Sequence, residues 1–176
     1  MALLQQLIEG LLDANEPVLE QPDASGARIA HALLLANNAA SLQAVLRLFR
    51  KRPDLMCAAH SGAVFEGENC LHVAIAQERE TVVTWMLRLA ARTLDGAQLR
   101  SLVLAHATGC FFQDPPMCYF GGSALAFACC FGMKEALKIM LEEMRDVKGA
   151  VEFVRTCRGS VELWLELLAR VVQTPE

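Results

Sequence analysis

Gly67-Glu68-Asn69-Cys70-Leu71-His72-Val73-Ala74 decides the fold of this chain, because its pattern returns as Gly121-Gly122-Ser123-Ala124-Leu125-Ala126-Phe127-Ala128. Both segments have the form Gly-x-x-x-Leu-x-x-Ala. A glycine followed by apolar residues at this spacing predicts a tight turn that leads into a short helix. The residues that define the repeated motif are Gly67, Leu71, His72, Ala74, Gly121, Leu125 and Ala128.

The two copies continue to agree downstream, where a second helix is expected. Met86-Leu87 follows the first glycine at the offset at which Met140-Leu141 follows the second. A looser copy precedes both, with Gly26, Ile29 and Ala32 in the corresponding places. The sequence therefore predicts an all-α fold of stacked helix-turn-helix units.

A unit of turn, helix, turn and antiparallel helix resembles the ankyrin repeat, whose signature is Thr-Pro-Leu-His-x-Ala. The resemblance implies an ankyrin-repeat solenoid with long finger loops, in which each unit contacts its neighbours and the stack holds other proteins. Leu71 and Leu125 are 54 residues apart, whereas the ankyrin period is about 33 residues. We therefore expect an insertion of roughly twenty residues, placed as a hairpin-like finger between repeats. Residues 97–106 within it can be helical.

The pattern divides the chain into three parts. Residues 1–25 combine an amphipathic helix with a linker of turn-forming residues. Residues 26–145 hold about three repeats, with the long finger at 92–120 and with Ser41 placed to cap the second helix of the first repeat. Residues 146–176 are predicted to be a C-terminal helical segment or a partial repeat.

Composition excludes several classes of protein. The chain has 176 residues, is 54% apolar and 20% charged, and carries a net charge of −4. The apolar fraction indicates a packed core, and the negative charge argues against nucleic acid or an anionic membrane surface as a partner. No apolar stretch approaches the ~18 residues of a membrane span, so we expect no membrane insertion by these residues. The seven cysteines are an odd number, which favours free thiols in a reducing cytosol over a disulfide framework.

A narrower resemblance rests on the second finger and the helix after it. The residues that carry it are Thr108-Gly109-Cys110-Phe111-Phe112-Gln113, Tyr119-Phe120-Gly121, and Leu125 with Ala128-Cys129. Together with residues 67–76, this stretch resembles the ankyrin domain of vanilloid-type TRP channels, and the resemblance extends over residues 26–145. The chain departs from the family pattern at Gly122, where the family has Glu, and residues 146–176 find no match.

The resemblance implies that the chain is the cytosolic N-terminal domain of a cation channel, on the cytoplasmic side of a membrane. In that family the fingers and the concave face contact neighbouring subunits, so the implied partners are other channel subunits or regulatory proteins. Some members also bind ATP or calmodulin there through basic side chains. Residues 53–66 contain no Lys or Arg and Glu66 directly precedes Gly67, so we expect no nucleotide or other cofactor. The isolated chain can be monomeric even where a parent channel is a tetramer.

Four aromatic residues of the second finger are the candidate site: Phe111, Phe112, Tyr119 and Phe120. One interpretation is a small hydrophobic cluster that stiffens the finger against the helices. The other is a partner-binding surface, because exposed aromatic side chains anchor protein interfaces. The sequence leaves both interpretations open, and different rings can serve different purposes.

His72 has a structural and a metal-binding interpretation. In ankyrin repeats the histidine of the Leu-His-x-Ala motif bonds neighbouring turns, which is a structural role. A zinc site would have to recruit Cys70, Cys57 and His60 as well. Because Cys70 and His72 are separated by one residue on a helix, their side chains point in different directions. The structural interpretation is favoured, and no metal site is predicted.

No enzymatic activity is predicted. A Cys–His dyad needs a third, orienting group, and nothing in the sequence places one beside Cys57 or Cys110. Gly121-Gly122-Ser123 lacks the Gly-Lys-Ser/Thr ending of a phosphate-binding loop. Two functions compete with the channel domain: a stand-alone cytosolic ankyrin adaptor and a Cys-dependent redox switch.

Overall fold

The computed structural model describes residues 2–14, 16–112 and 122–143, and every regular element in these ranges is helical. The all-α fold is thereby confirmed for this part of the chain. The α-helices are α1 (Ala2–Asp13), α2 (Ile29–Ala36), α3 (Ala39–Lys51), α4 (Cys70–Ala76), α5 (Glu80–Thr93), α6 (Gly96–Leu104), α7 (Ala124–Cys130) and α8 (Lys134–Glu143). Short 3-10 helices span Pro17–Leu19, Pro53–Cys57 and Cys110–Phe112. Tyr119, Phe120, Gly121 and the predicted C-terminal segment 146–176 lie outside the described residues.

Three antiparallel helix pairs, α2–α3, α4–α5 and α7–α8, share one register. Their first helices begin after the N-cap residues Arg28, Asn69 and Ser123, each two positions beyond Gly26, Gly67 or Gly121. The turn inside each pair contains a residue with left-handed backbone at one equivalent position. These residues are Asn37 (φ 46°), Glu78 (φ 54°) and Gly132 (φ 65°).

This register corrects the alignment of the first copy. Counted from the N-cap, Ala30 and Leu33 occupy the places of Leu71 and Ala74, and not Ile29 and Ala32 as the sequence suggested. His31 is then the counterpart of His72. The sizes of the two apolar residues are exchanged in this copy, so matching by side-chain size shifted the alignment by one residue.

The cap of α3 also differs from the prediction. Asn38 is the N-cap, and its Oδ1 accepts a hydrogen bond from the backbone N–H of Ser41 (3.0 Å). Ser41 lies three residues inside, where its hydroxyl accepts from the N–H of Asn38 (3.1 Å). The two side chains therefore satisfy each other's free amides in a capping box.

The core runs along the stack of first helices. Helix α4 contacts both α2 and α7, α5 contacts α8, and α1 contacts α3. Helices α4 and α7 are almost wholly buried. Helix α4 lies between α2 and α7, and α7 contacts α4, α6 and α8. The Oε1 of Glu80 in α5 accepts hydrogen bonds from the N–H groups of Glu135 (3.0 Å) and Ala136 (3.4 Å), and so caps α8 in the next pair.

The inserted stretch after α5 begins with a helix, as expected. Helix α6 is capped by Asp95, whose Oδ1 accepts from the N–H of Gln98 (2.8 Å). It contacts α7 and the Pro53–Cys57 turn. A part of the insertion therefore packs on the stack instead of extending the finger.

Replacing Glu78 by Gly is expected to stabilise the protein. A residue other than glycine in left-handed backbone is disfavoured by about 1–2 kcal/mol, and glycine loses part of this gain through its greater freedom in the unfolded chain. We expect a net gain of about 0.5–1 kcal/mol in the free energy of unfolding, measured by urea denaturation.

The matched control for this change is Gly132→Ala. A Cβ at Gly132 would have no atom within 4 Å, but the backbone is left-handed there. The variant should therefore lose about 1 kcal/mol through backbone strain alone. Equal stabilities for the wild type and both variants would contradict the assignment of strain to this turn.

Candidate functional site

A hairpin-like loop leads into α4, and we call residues 58–68 the first finger. Its base is closed by two backbone hydrogen bonds, from His60 N–H to Glu68 O (2.6 Å) and from Gly67 N–H to His60 O (3.0 Å). Its tip turns at Gly62, whose carbonyl accepts from the N–H of Phe65 (3.2 Å).

The described part of the second finger, residues 105–112, lies directly against the first. Cys110 N–H donates to Ala63 O (2.9 Å) and Phe111 N–H donates to Val64 O (3.0 Å). Gly109 allows this approach, because a Cβ there would lie 2.2 Å from the carbonyl oxygen of Val64. The two fingers therefore form one hydrogen-bonded unit.

Aromatic rings connect the finger surface to α2. The rings of Phe111 and Phe65 are 5.1 Å apart, Phe65 meets His60 edge-on at 5.6 Å, and His60 lies 5.8 Å from His31. His31 is fully buried, whereas Phe111 is 46% exposed. The row thus runs from the core to the solvent.

Of the four predicted site residues, Phe111 is the one whose side chain the structure describes. It fits both interpretations, because one part of it packs on Phe65 and the other faces solvent. The backbone of Phe112 lies in the 3-10 helix, and Tyr119 and Phe120 lie outside the described residues. Sequence reasoning missed Phe65, which comes from the other finger.

His72 joins the second helix pair to the third. It is fully buried, and its Nε2 lies 3.3 Å from the carbonyl of Gly122. Because a carbonyl oxygen can only accept, the proton is assigned to Nε2, and Nδ1 accepts from the N–H of Asn69 (3.2 Å). The edge-on ring of Phe127 lies 4.8 Å away. Both ring nitrogens are therefore used in holding the structure together. Within the described ranges, no group of three or more His, Cys, Asp or Glu side chains is arranged to hold a metal ion.

His31 repeats this arrangement in the first pair, but only in part. Its Nδ1 accepts from the N–H of Arg28 (3.0 Å), whereas its buried Nε2 lacks a partner of full hydrogen-bond geometry and interacts only weakly with the backbone of Ala58. Burial lowers the pKa of both His31 and His72 to about 4, and for His31 the neighbouring His60 adds to the effect. Both rings are accordingly neutral at physiological pH.

The cysteines in the described ranges are free thiols, and two of them are held in the thiol form. Burial raises the pKa of Cys57 to about 11 and raises that of Cys70 further. Their Sγ atoms donate to the carbonyls of Gln98 and Leu55, both at 3.5 Å. Since the thiolate is the reactive form, these two residues are poor nucleophiles. Cys110 is exposed on the second finger.

Glu68, at the base of the first finger, is a half-buried carboxyl group. Burial raises its pKa to about 7. The group therefore changes charge close to neutral pH.

Comparison with known proteins gives an informative similarity. No protein-family model matches the chain. It is 28% identical over 145 residues to the human protein transient receptor potential cation channel subfamily V member 6. The matched region is 81% of this chain but only 17% of that protein. The similarity indicates a relationship to channels of this kind, and it leaves most of the relative's length without a counterpart here. Within the ranges that the structure describes, no helix is long and apolar enough to cross a bilayer.

Stability is expected to fall between pH 6.5 and pH 4. His31 and His72 have folded pKa values near 4, below the ordinary value of about 6.5, so the unfolded chain binds more protons in this window. Each histidine then contributes up to about 3 kcal/mol to the free energy of unfolding. This contribution is present above pH 6.5 and is lost as the pH falls through 4. Urea midpoints measured across this range test the expectation.

Glu68 opposes this trend, and removing it sharpens the test. Its raised pKa contributes stability that is present below its ordinary value near 4.5 and lost as the pH rises through 7. In Glu68→Gln the loss of stability on acidification should therefore be steeper than in the wild type. A flat profile in Glu68→Gln would show that the two histidines are not buried in the neutral form.

Gly109→Ala is expected to separate the fingers. The added methyl group would collide with the carbonyl of Val64, and overpacking of this kind typically lowers the free energy of unfolding by about 1–3 kcal/mol. Gly96→Ala in α6 is the control, since a Cβ there meets nothing within 4 Å. Amide exchange at Cys110 and Phe111 should become faster in Gly109→Ala only.

Proposed function

We propose that the three helix pairs are ankyrin repeats. Each has a glycine two positions before the N-cap, a short first helix, a left-handed turn residue and a longer antiparallel helix, all in one register. The histidine of the second pair bonds the carbonyl of Gly122 in the next pair, which is the role expected for the Leu-His-x-Ala motif. Successive contacts of α2, α4 and α7 fit a stack in which each unit touches its neighbours.

The stack serves, in this proposal, as the cytosolic part of a TRPV-like cation channel, on the cytoplasmic side of the membrane. The observation that carries this is the 28% identity to a TRPV channel over 81% of the chain. The finger stretch from Thr108 to Gln113 adds to it, because it carries the family resemblance and because its residues 108–111 pair with the preceding finger. Ion conduction would belong to other parts of such a protein, since the chain spans 17% of the relative's length.

The domain would act by holding other proteins, either neighbouring subunits or regulators. The paired fingers support this role, because Val64 and Phe111 keep 48% and 46% of their surface exposed on a framework fixed by backbone hydrogen bonds. Apolar side chains held in a fixed geometry lose little entropy when they bind.

A stand-alone ankyrin adaptor is the second candidate, and the same finger surface would serve it. A Cys-dependent redox switch is less well supported, because burial keeps Cys57 and Cys70 as thiols. The observation that favours the channel over the adaptor is again the similarity to a TRPV protein.

The coding sequence that follows the codon for Glu176 tests the proposal. We expect about six apolar spans of about 20 residues each, the length needed to cross a bilayer as helices. A stop codon directly after Glu176 would contradict the channel assignment and favour the adaptor. The result does not depend on whether any particular partner binds the fingers.

A further inference from the structure

The two fingers present one apolar surface to solvent, although each contributes only part of it. Val64 and Phe111 are joined through the hydrogen bond from Phe111 N–H to Val64 O (3.0 Å), and Phe65 supports the ring of Phe111 from the first finger (5.1 Å). We call Val64, Phe65 and Phe111 the finger patch. Because both fingers must be in place to form it, the patch is a property of the fold and not of one loop.

The segments that form the fingers contain acidic side chains and no Lys or Arg. Residues 53–68 and 105–112 contain Asp54, Glu66 and Glu68 but no Lys or Arg. Asp54 is already paired with Arg52 (2.7 Å). Glu66 is exposed and uses its backbone carbonyl, not its carboxylate, to accept from Thr108 (2.7 Å) and Gly109 (3.0 Å).

Arg28 is a cation at the base of the first finger, and its guanidinium is already bonded to backbone carbonyls. Arg28 donates through Nη1 to the carbonyl of Ala59 and through Nε to that of Glu20 (2.9 Å). Burial raises the pKa of the Glu68 carboxyl group. A cationic side chain brought by a partner would stabilise the ionised form of this group and would pair with Glu66.

We propose that the finger patch binds a protein segment that combines one apolar anchor with neighbouring lysine or arginine side chains. The anchor packs on Phe111 and Val64, and the cations lie beside Glu66 and Glu68. The proposal rests on the protein-binding function proposed above and specifies the chemistry of the partner. Apolar contact supplies most of the affinity, and the charges supply selectivity and the orientation of the segment.

Selection of random peptides on the intact chain tests the proposal without knowledge of the natural partner. A displayed peptide library is selected on immobilised protein, and the enriched sequences are synthesised for binding measurements in solution. We expect an aromatic or leucine anchor with an excess of Lys and Arg. Acidic sequences, or no sequence enriched above background, would overturn the proposal.

Substitutions then locate the binding surface. Phe111→Ser and Val64→Ser should each weaken binding of the selected peptide by about tenfold or more. Leu3→Ser, at a 79% exposed leucine on α1, is the matched control and should leave affinity within about twofold. Urea midpoints show that the variants are folded. Equal affinity of the wild type and Phe111→Ser would overturn the proposal.

A charge exchange separates the electrostatic contribution to affinity from non-specific apolar binding. Glu66→Lys should lower the affinity for the basic peptide by about tenfold. A second peptide, with Glu in place of the Lys residues, should bind the Glu66→Lys variant more tightly than the basic peptide does. Failure of this reversal would contradict the assigned role of Glu66. Self-association of the chain that Phe111→Ser abolishes would instead identify a second copy as the occupant and would overturn the proposal.

The outcome is independent of the channel assignment. Peptide selection can fail on a chain whose gene continues into membrane spans, and it can succeed on an adaptor whose gene stops at Glu176. The two results taken together therefore show which of the two proposals has failed.

Discussion

The hydrogen bond from His72 Nε2 to the carbonyl of Gly122 is the interaction on which the rest of the structure depends. In a stack each unit contacts only its neighbours, so a polar tie between units sets their relative position. The histidine of this tie is fully buried, so leaving its ring N–H without a partner would be costly. Asn69 reinforces it, since its amide donates to the carbonyl of Leu102 (2.9 Å) while its Oδ1 caps α4. The second finger is consequently fixed at the point where it returns to the helices.

Differences between the fingers follow from where additional residues can be accommodated. The bond from His60 to Glu68 closes the first finger over eight positions, and the bond from Ala107 to Gly122 closes the second over fifteen. Before that second bond, α6 takes up further residues and packs them against α7. The stack therefore tolerates unequal repeats, because length is added at the finger tip and between helices, where no tie between units is disturbed.

The sequence predicted the helices well because apolar spacing and turn residues are local signals. It located α4, α5, α6, α7 and α8, and it predicted a structural role for His72, whose Nε2 meets the carbonyl of Gly122. It did not predict the left-handed backbone of Glu78, since glutamate rarely adopts that conformation. The position becomes evident only when the helix pairs are aligned and Glu78 is seen to be equivalent to Gly132. Nor did it predict that Phe65 supports Phe111, because that contact depends on the stacking of two fingers distant in the chain. The proposed partner surface was thus predicted on one finger only, without the contribution of Phe65.

The cap that Glu80 provides for α8 has a consequence for how such a chain can be rearranged. Glu80 holds the first amides of the helix in the following unit, and the equivalent places in the other two units hold Ala39 and Lys134. His72 similarly has Ala126 as its counterpart in the third unit. The units are alike in backbone but not interchangeable, because Glu80 and His72 of the second unit bond its successor. Ala39, Lys134 and Ala126 at the equivalent positions cannot make the same bonds. The side chains at the junctions therefore specify the order of the units along the chain. A chimera with the units in another order would keep the helices and lose the hydrogen bonds between units.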